Sequence, residues 1–156
     1  MPKTIHATLV QVYGQGVLLR GPSNSGKSSI ALRLIDEAEL ARATGHLVAD
    51  DQVIITSHDN HLVGEAPDNL FGQIEIRGVG IINIESRRNA AIDLVVDLVP
   101  HHDLERMPDE NLNYETIAGI KVRRIHIAER NPDASVIIRT ILKTLPQDEK
   151  NPMGFA

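Results

Sequence analysis

Hydrophobic and polar positions change period several times along the chain, and each change marks an element. Thr4 to Val12 alternates loosely, as a half-buried strand does, and ends in Tyr13-Gly14-Gln15-Gly16, a turn composition. The apolar run Val17-Leu18-Leu19 follows, so the two segments predict a hairpin. Gly21 to Gly26 excludes regular structure. Ser28 to Ala43 then carries Ile30, Leu34, Ala38 and Ala41 at three- and four-residue spacing, which predicts a helix. Arg33 and Glu37, one turn apart, predict an ion pair along it, and Gly45 a stop.

Beyond that point the period becomes that of strands. Leu47-Val48-Ala49 ends in Asp50-Asp51, Val53 to Thr56 resumes, and His58-Asp59-Asn60 predicts a turn before His61-Leu62-Val63. Glu65 to Gln73 is loop-like, and Ile74 to Ile84 is strand-like with two glycines inside it. Ile92 to Val99 predicts a strand, Pro100 to Asn113 is polar and irregular, and Glu115 to Ile127 holds strand material turning at Ala118-Gly119. Ala134 to Leu145 predicts a helix stopped by Pro146. Many strands with few helices predict an α/β or α+β sheet protein.

A length of 156 residues suggests one domain, 1–156, large enough to fold around its own core. With 42% hydrophobic and 24% charged residues the chain is globular in composition. Sixteen basic against 21 acidic residues, a net charge of -5, argue against a general nucleic-acid or anionic-membrane binder. The lack of cysteine excludes disulfides, thiol nucleophiles and Cys-ligated zinc. No apolar run reaches the ~18 residues of a membrane span, and the first residues do not open a secretory signal, so a cytoplasmic protein is expected.

The strongest chemical signal is Gly21-Pro22-Ser23-Asn24-Ser25-Gly26-Lys27-Ser28, a full match to G-x-x-x-x-G-K-[ST] between a predicted strand and a predicted helix. Such a loop turns backbone N–H groups inward, and the helix N-terminus adds partial positive charge. Gly26 lets the backbone approach a phosphate, Lys27 supplies a cation for the β/γ-phosphates, and the Ser28 hydroxyl can ligate Mg²⁺. A nucleoside triphosphate site is therefore expected.

A phosphate loop calls for an acid at the end of a nearby apolar strand. Asp50 and Asp51 qualify, and adjacent side chains on a strand point to opposite faces, so one can serve metal or acceptor while the other serves structure. Asp93 and Asp97 read better as outward residues of an amphipathic strand. Glu75 shares a face with Arg77, with glycines following, and fits either a phosphate-facing strand or a plain salt-bridged one. His58/His61 and His101-His102-Asp103 lack the spacing of a zinc site and read as solvated loop residues. His6 alone carries no assignment.

Taken together, His6-Ala7-Thr8-Leu9-Val10, the phosphate loop, Leu47-Val48-Ala49-Asp50-Asp51 and Ile74-Glu75-Ile76-Arg77-Gly78-Val79-Gly80-Ile81-Ile82-Asn83 resemble the catalytic domain of HPr kinase/phosphorylase. The likeness runs from about residue 5 to 142 and is strongest up to Asn83. It implies a carboxykinase-like P-loop arrangement, with the family's N-terminal domain absent from this chain. It also implies ATP and Mg²⁺ as cofactors, an HPr-type phosphocarrier as substrate, and a homo-oligomer, hexameric in the family. Residue by residue, it implies that Lys27 holds the phosphates and that Ser28 and Glu75 ligate Mg²⁺. Asp51 becomes the base toward the acceptor serine and the acid in reverse, with Asp50 beside it. His6 and Arg106 become further active-site residues. The chain departs from the family at Pro22 and Asn24, which replace an acid and a glycine, and in the spacing between Lys27 and the Asp pair. It departs again at Ile127 to Pro132, where the family has a P-x-R-P-G-R-type loop tied to dephosphorylation. The resemblance thus carries the kinase direction further than the phosphorylase direction. A kinase of another small acceptor and a non-catalytic nucleotide sensor are the competing functions.

Overall fold

The computed structural model describes residues 2–104 and 109–145. A hairpin opens the chain: β1 (Lys3–Val12) pairs antiparallel with β2 (Gln15–Arg20) through Tyr13 and Gly14. Both turn residues have positive φ, 56° and 74°, the mirror-image turn whose twist matches that of paired strands. The same device closes β4 (Gln52–His58) onto β5 (His61–Glu65) at Asp59-Asn60. It recurs between β10 (Tyr114–Ile117) and β11 (Ile120–Ala128) at Ala118-Gly119. All three turns fall where the sequence predicts them.

Helix α1 (Lys27–Leu40) buries Ile30, Leu34 and Ala38 of the predicted stripe together with Ala31, while Ala41, expected on that stripe, lies past the helix end and is exposed. It ends before Gly45: Arg42 takes a left-handed φ of 62°, and the Ala43 N–H donates back to the Ala38 carbonyl at 2.8 Å. Gly45 instead opens β3 (Gly45–Ala49), where a Cβ would meet the Ile35 backbone at 3.0 Å. Glu37 turns to helix α2 (Ala134–Leu142) rather than to Arg33, pairing with Arg139 at 3.0 Å and accepting from the Ser135 hydroxyl at 3.2 Å. Helix α2 ends at Leu142, short of the predicted Leu145. The strand-like run from Ile74 is a hairpin, β6 (Gln73–Ile76) and β7 (Gly80–Asn83), because Gly78 and Gly80 at φ 84° and 108° let the chain reverse.

With β8 (Asn89–Ala91) and β9 (Leu94–Val99), the main sheet runs β10-β11-β9-β2-β1-β4-β5-β8, with β3 also on β1. Strand β9 is parallel to both β2 and β11, and the other pairings are antiparallel. Strand β1 changes partners midway: Lys3 to His6 lie along β4, whereas Ala7 to Val12 lie along β2. The sheet bends there, and Ala7 to Val10 are buried on both faces, which is why the alternation read from sequence is loose. One core packs Val10, Val17, Leu19, Leu47 and Val96 against the two helices. The other packs Leu9, Leu18 and Val95 against Val53, Ile55 and Leu62 of the folded-over strands. This mixed, sheet-rich α/β architecture, with two helices among the described residues, agrees with the predicted class.

Asp93 and Asp97 hold this frame together. Asp93 accepts the Gly16 N–H at 2.9 Å, tying the first hairpin to the start of β9. Asp97 is not simply outward-facing, since it receives Arg20 through Nε and Nη2 at 2.7 and 2.8 Å. Arg20 also donates to Glu115, which takes Arg124 as well at 2.9 Å. Burial works against the Arg20 charge, but its bonds to Asp97 and Glu115 outweigh that and hold it more firmly protonated than usual. The same Arg20 bond holds the Glu115 carboxyl below its ordinary value, against a smaller opposing effect of burial.

Two outcomes follow. Leu34→Ala, which empties a fully buried site under α1, is expected to cost about 3 kcal/mol of stability, read from the denaturant midpoint. Because the Glu115 pKa is depressed on folding, its contribution is complete above its ordinary value near 4.5 and is lost as pH falls through the lower folded value. Glu115→Gln is therefore expected to flatten the acid limb of the stability–pH curve, measured by denaturation at a series of pH values.

Candidate active site

The phosphate loop leaves β2 at Arg20 and enters α1 at Lys27. Gly26 precedes the helix at φ 103°, a conformation that favours glycine, and α1 begins with no side-chain cap and no acid in its first turn. Lys27 is buried and folds back on its loop, its Nζ donating to the Gly21 and Pro22 carbonyls at 2.7 and 2.9 Å. Burial pulls its pKa down, opposed by the charges of Asp50 and Asp51.

Asp50 and Asp51 lie in the tight turn between β3 and β4, not along a strand. The Gln52 N–H donates to the Asp50 carbonyl at 2.9 Å, and Asp51 between them has φ 72°, a rare turn that splays the two carboxylates apart. Asp50 turns inward and is 7% exposed. Its Oδ1 accepts the hydroxyls of Thr8 at 2.8 Å and Ser28 at 2.9 Å, and its Oδ2 accepts the Glu75 N–H at 3.1 Å. Asp51 turns outward, 62% exposed, with His6 Nδ1 3.1 Å from its Oδ1.

Between the loop, the Asp turn and the β6–β7 hairpin lies an open cleft of about 660 Å³. His6, Lys27, Ser28, Asp50, Asp51 and Glu75 all line it, as do Ser23, Asn24 and Gly26 of the loop. Six of the predicted chemical residues, drawn from four separate stretches of sequence, thus meet in one place. Arg106 lies outside the described residues. The β6–β7 hairpin forms one wall through Glu75, Ile76 and Arg77.

Three residues with no assigned role belong here as well. Thr8 holds Asp50 from the middle of β1, and a buried threonine in a strand gives no sequence signal for this. Arg77 donates to the Asn24 side chain, and Arg130 donates Nε to the Asn24 carbonyl at 3.0 Å. The signal for Arg130 is its place in the segment 127–132, which the resemblance already marks. The histidines at 58, 101 and 102 are exposed and lie elsewhere. Among the described residues no group of three or more His, Asp or Glu side chains is placed to hold a metal ion, and no helix is long and apolar enough to cross a membrane.

Comparison with known proteins accords with this geometry. The family model described as HPr Serine kinase C-terminal domain matches residues 1–151. The HPr kinase/phosphorylase of Peptoclostridium acidaminophilum is 47% identical across 98% of this chain and 50% of that protein. That of Caldicellulosiruptor bescii is 39% identical across 97% of this chain and 50% of that protein. The structure of the Hpr(Ser) kinase/phosphatase from Coxiella burnetii superposes with a TM-score of 0.76 at 27% identity, covering 91% of this chain and 89% of that one. The chain spans about half the length of the curated relatives it matches. With matching folds and a family match running through the cleft residues, the chain belongs to the HPr serine kinase C-terminal domain family.

Proposed function

We propose that this protein is an ATP- and Mg²⁺-dependent serine kinase of an HPr-type phosphocarrier, able to run the transfer backwards as a phosphorylase. The observation that carries the reading is the His6–Asp51 pair, exposed at the open side of a cleft whose floor is the phosphate loop. A base this accessible suits an acceptor that brings its own surface to shield the reaction, as a protein does. A small acceptor needs an enclosed pocket, and a nucleotide sensor needs no base at all.

The cleft suits both cofactors. The uncapped start of α1 and the positive φ of Gly26 make a cradle for phosphate oxygens. The Ser28 hydroxyl donates its hydrogen bond to Asp50, which leaves the lone pairs of its oxygen for a cation, and Glu75 offers an exposed carboxylate on the facing wall. Ser28 and Glu75 would therefore hold Mg²⁺, and Lys27 the β/γ-phosphates. When bound, Mg·ATP supplies the transferable phosphoryl group and a divalent charge against its oxygens.

The chain's own residues do the rest. Asp51 accepts the proton of the serine hydroxyl as its oxygen attacks, and His6 fixes the orientation of that carboxylate. Asp50 keeps Ser28 and β6 at a constant separation. Lys27 leaves the Gly21 and Pro22 carbonyls for the stronger, charge-assisted bond to phosphate. In the reverse direction inorganic phosphate attacks phosphoserine, pyrophosphate forms, and protonated Asp51 returns its proton to the serine oxygen.

Intact-mass spectrometry of HPr-type phosphocarriers incubated with the protein and Mg·ATP is expected to show the gain of one phosphoryl group on a serine; nucleotide binding with no transfer would remove the acceptor assignment. Asp51→Asn is expected to lower transfer by about 10²- to 10⁴-fold with ATP affinity nearly unchanged, whereas Lys27→Ala weakens both. Glu75→Gln is expected to raise the Mg²⁺ concentration needed for half-maximal transfer, and an unchanged requirement would take Glu75 out of the metal shell.

A further inference from the structure

Asn24 sits on the phosphate loop in a left-handed conformation, φ 72°, and two arginines from distant parts of the chain converge on it. Arg77, in the turn of the β6–β7 hairpin, donates Nη1 to the Asn24 side-chain carbonyl. Arg130, after β11, donates Nε to the Asn24 backbone carbonyl at 3.0 Å, and its own N–H reaches the Ser25 carbonyl at 3.1 Å. All three residues are exposed and line the cleft.

The two contacts differ in kind. Arg130 is anchored by backbone as well as side chain and acts as a fixed brace. Arg77 is held by a side-chain amide alone within this loop, and it is carried on a turn whose Gly78 and Gly80 have open space around them. Residues 21–28 contain no acid, so the loop offers Arg77 only neutral acceptors. A charged acceptor binds a guanidinium roughly twice as strongly as a neutral one, and phosphate oxygens match its planar fork. A phosphate entering the cleft therefore outcompetes Asn24 for Arg77.

We propose that Asn24 is a positioning residue for the phosphate donor: it parks Arg77 over the loop by a neutral hydrogen bond, ready to pass to the terminal phosphate of a nucleoside triphosphate. This rests on the nucleotide reading above and adds to it the residue that prepares a second cation beside Lys27. A carboxylate at this position would keep Arg77 for itself, and a glycine would leave it unplaced.

Calorimetric titration of the full chain with Mg·ATP and Mg·ADP tests this, using Asn24→Asp, Asn24→Gly, Arg77→Ala and the Asn24→Asp/Arg77→Ala double variant. Glycine suits the backbone conformation, so Asn24→Gly separates the lost contact from strain. Asn24→Asp is expected to weaken ATP about tenfold and ADP by less than about threefold. Asn24→Gly is expected to weaken ATP about threefold, through lost preorganisation. In the Arg77→Ala background, Asn24→Asp is expected to add nothing. An equal loss in both backgrounds would mean direct repulsion of phosphate and would overturn the proposal, as would wild-type ATP affinity in Asn24→Asp and Asn24→Gly together. If the wild-type chain binds neither nucleotide, the nucleotide reading itself falls, and this inference with it.

Discussion

A single buried carboxylate governs the geometry of this protein. Asp50 takes one donor from β1, one from α1 and one from β6, three elements that no short stretch of sequence connects. A carboxylate removed from water is costly unless hydrogen bonds replace its hydration. The central strand, the helix behind the phosphate loop and the hairpin wall are therefore constrained to meet at one point. The turn that sends Asp50 inward is the turn that sends Asp51 out to His6. Burial and exposure are divided between two neighbouring residues of the same type, by the backbone rather than by the side chains.

The sheet supplies the rigidity this arrangement needs. Its helix-covered face carries the loop on strand β2, while its other face is packed by strands of the same sheet folded over. Where β2 ends, Arg20 is gripped by Asp97 on β9 and Glu115 on β10. Gly21 follows at once, so the entry to the loop is braced by charge on one side and the exit by the dipole and packing of α1 on the other.

What was legible from sequence was local. The three two-residue turns announced themselves by composition, the helix by its period, and the phosphate loop by a spacing with one chemical meaning. The resemblance brought His6, Asp51 and Glu75 together, and the fold places all three on one cleft. What stayed hidden depends on contacts between remote residues. Glu37 pairs across to α2 because Arg139 lies there, not because of anything one turn away. The α1 helix ends at Leu40 and the chain is turned away at Arg42, a residue with no reputation as a stop, while Gly45 is needed for its closeness to Ile35. Thr8 and the convergence of Arg77 and Arg130 on Asn24 have no period or motif to reveal them.

The parallel seam of β2, β9 and β11 bears on the order in which the molecule is completed. A ribosome delivers the phosphate loop before the residues that brace it: Arg20 must wait for Asp97, 77 residues later, and Asn24 for Arg130, 106 residues later. The early hairpin can close on its own, since its turn is local. The loop it carries gains its Arg130 brace only after β11 has emerged. A nascent chain thus holds the phosphate-loop sequence long before the loop is fully braced, and a chain cut short before β11 lacks the Arg130 contact altogether.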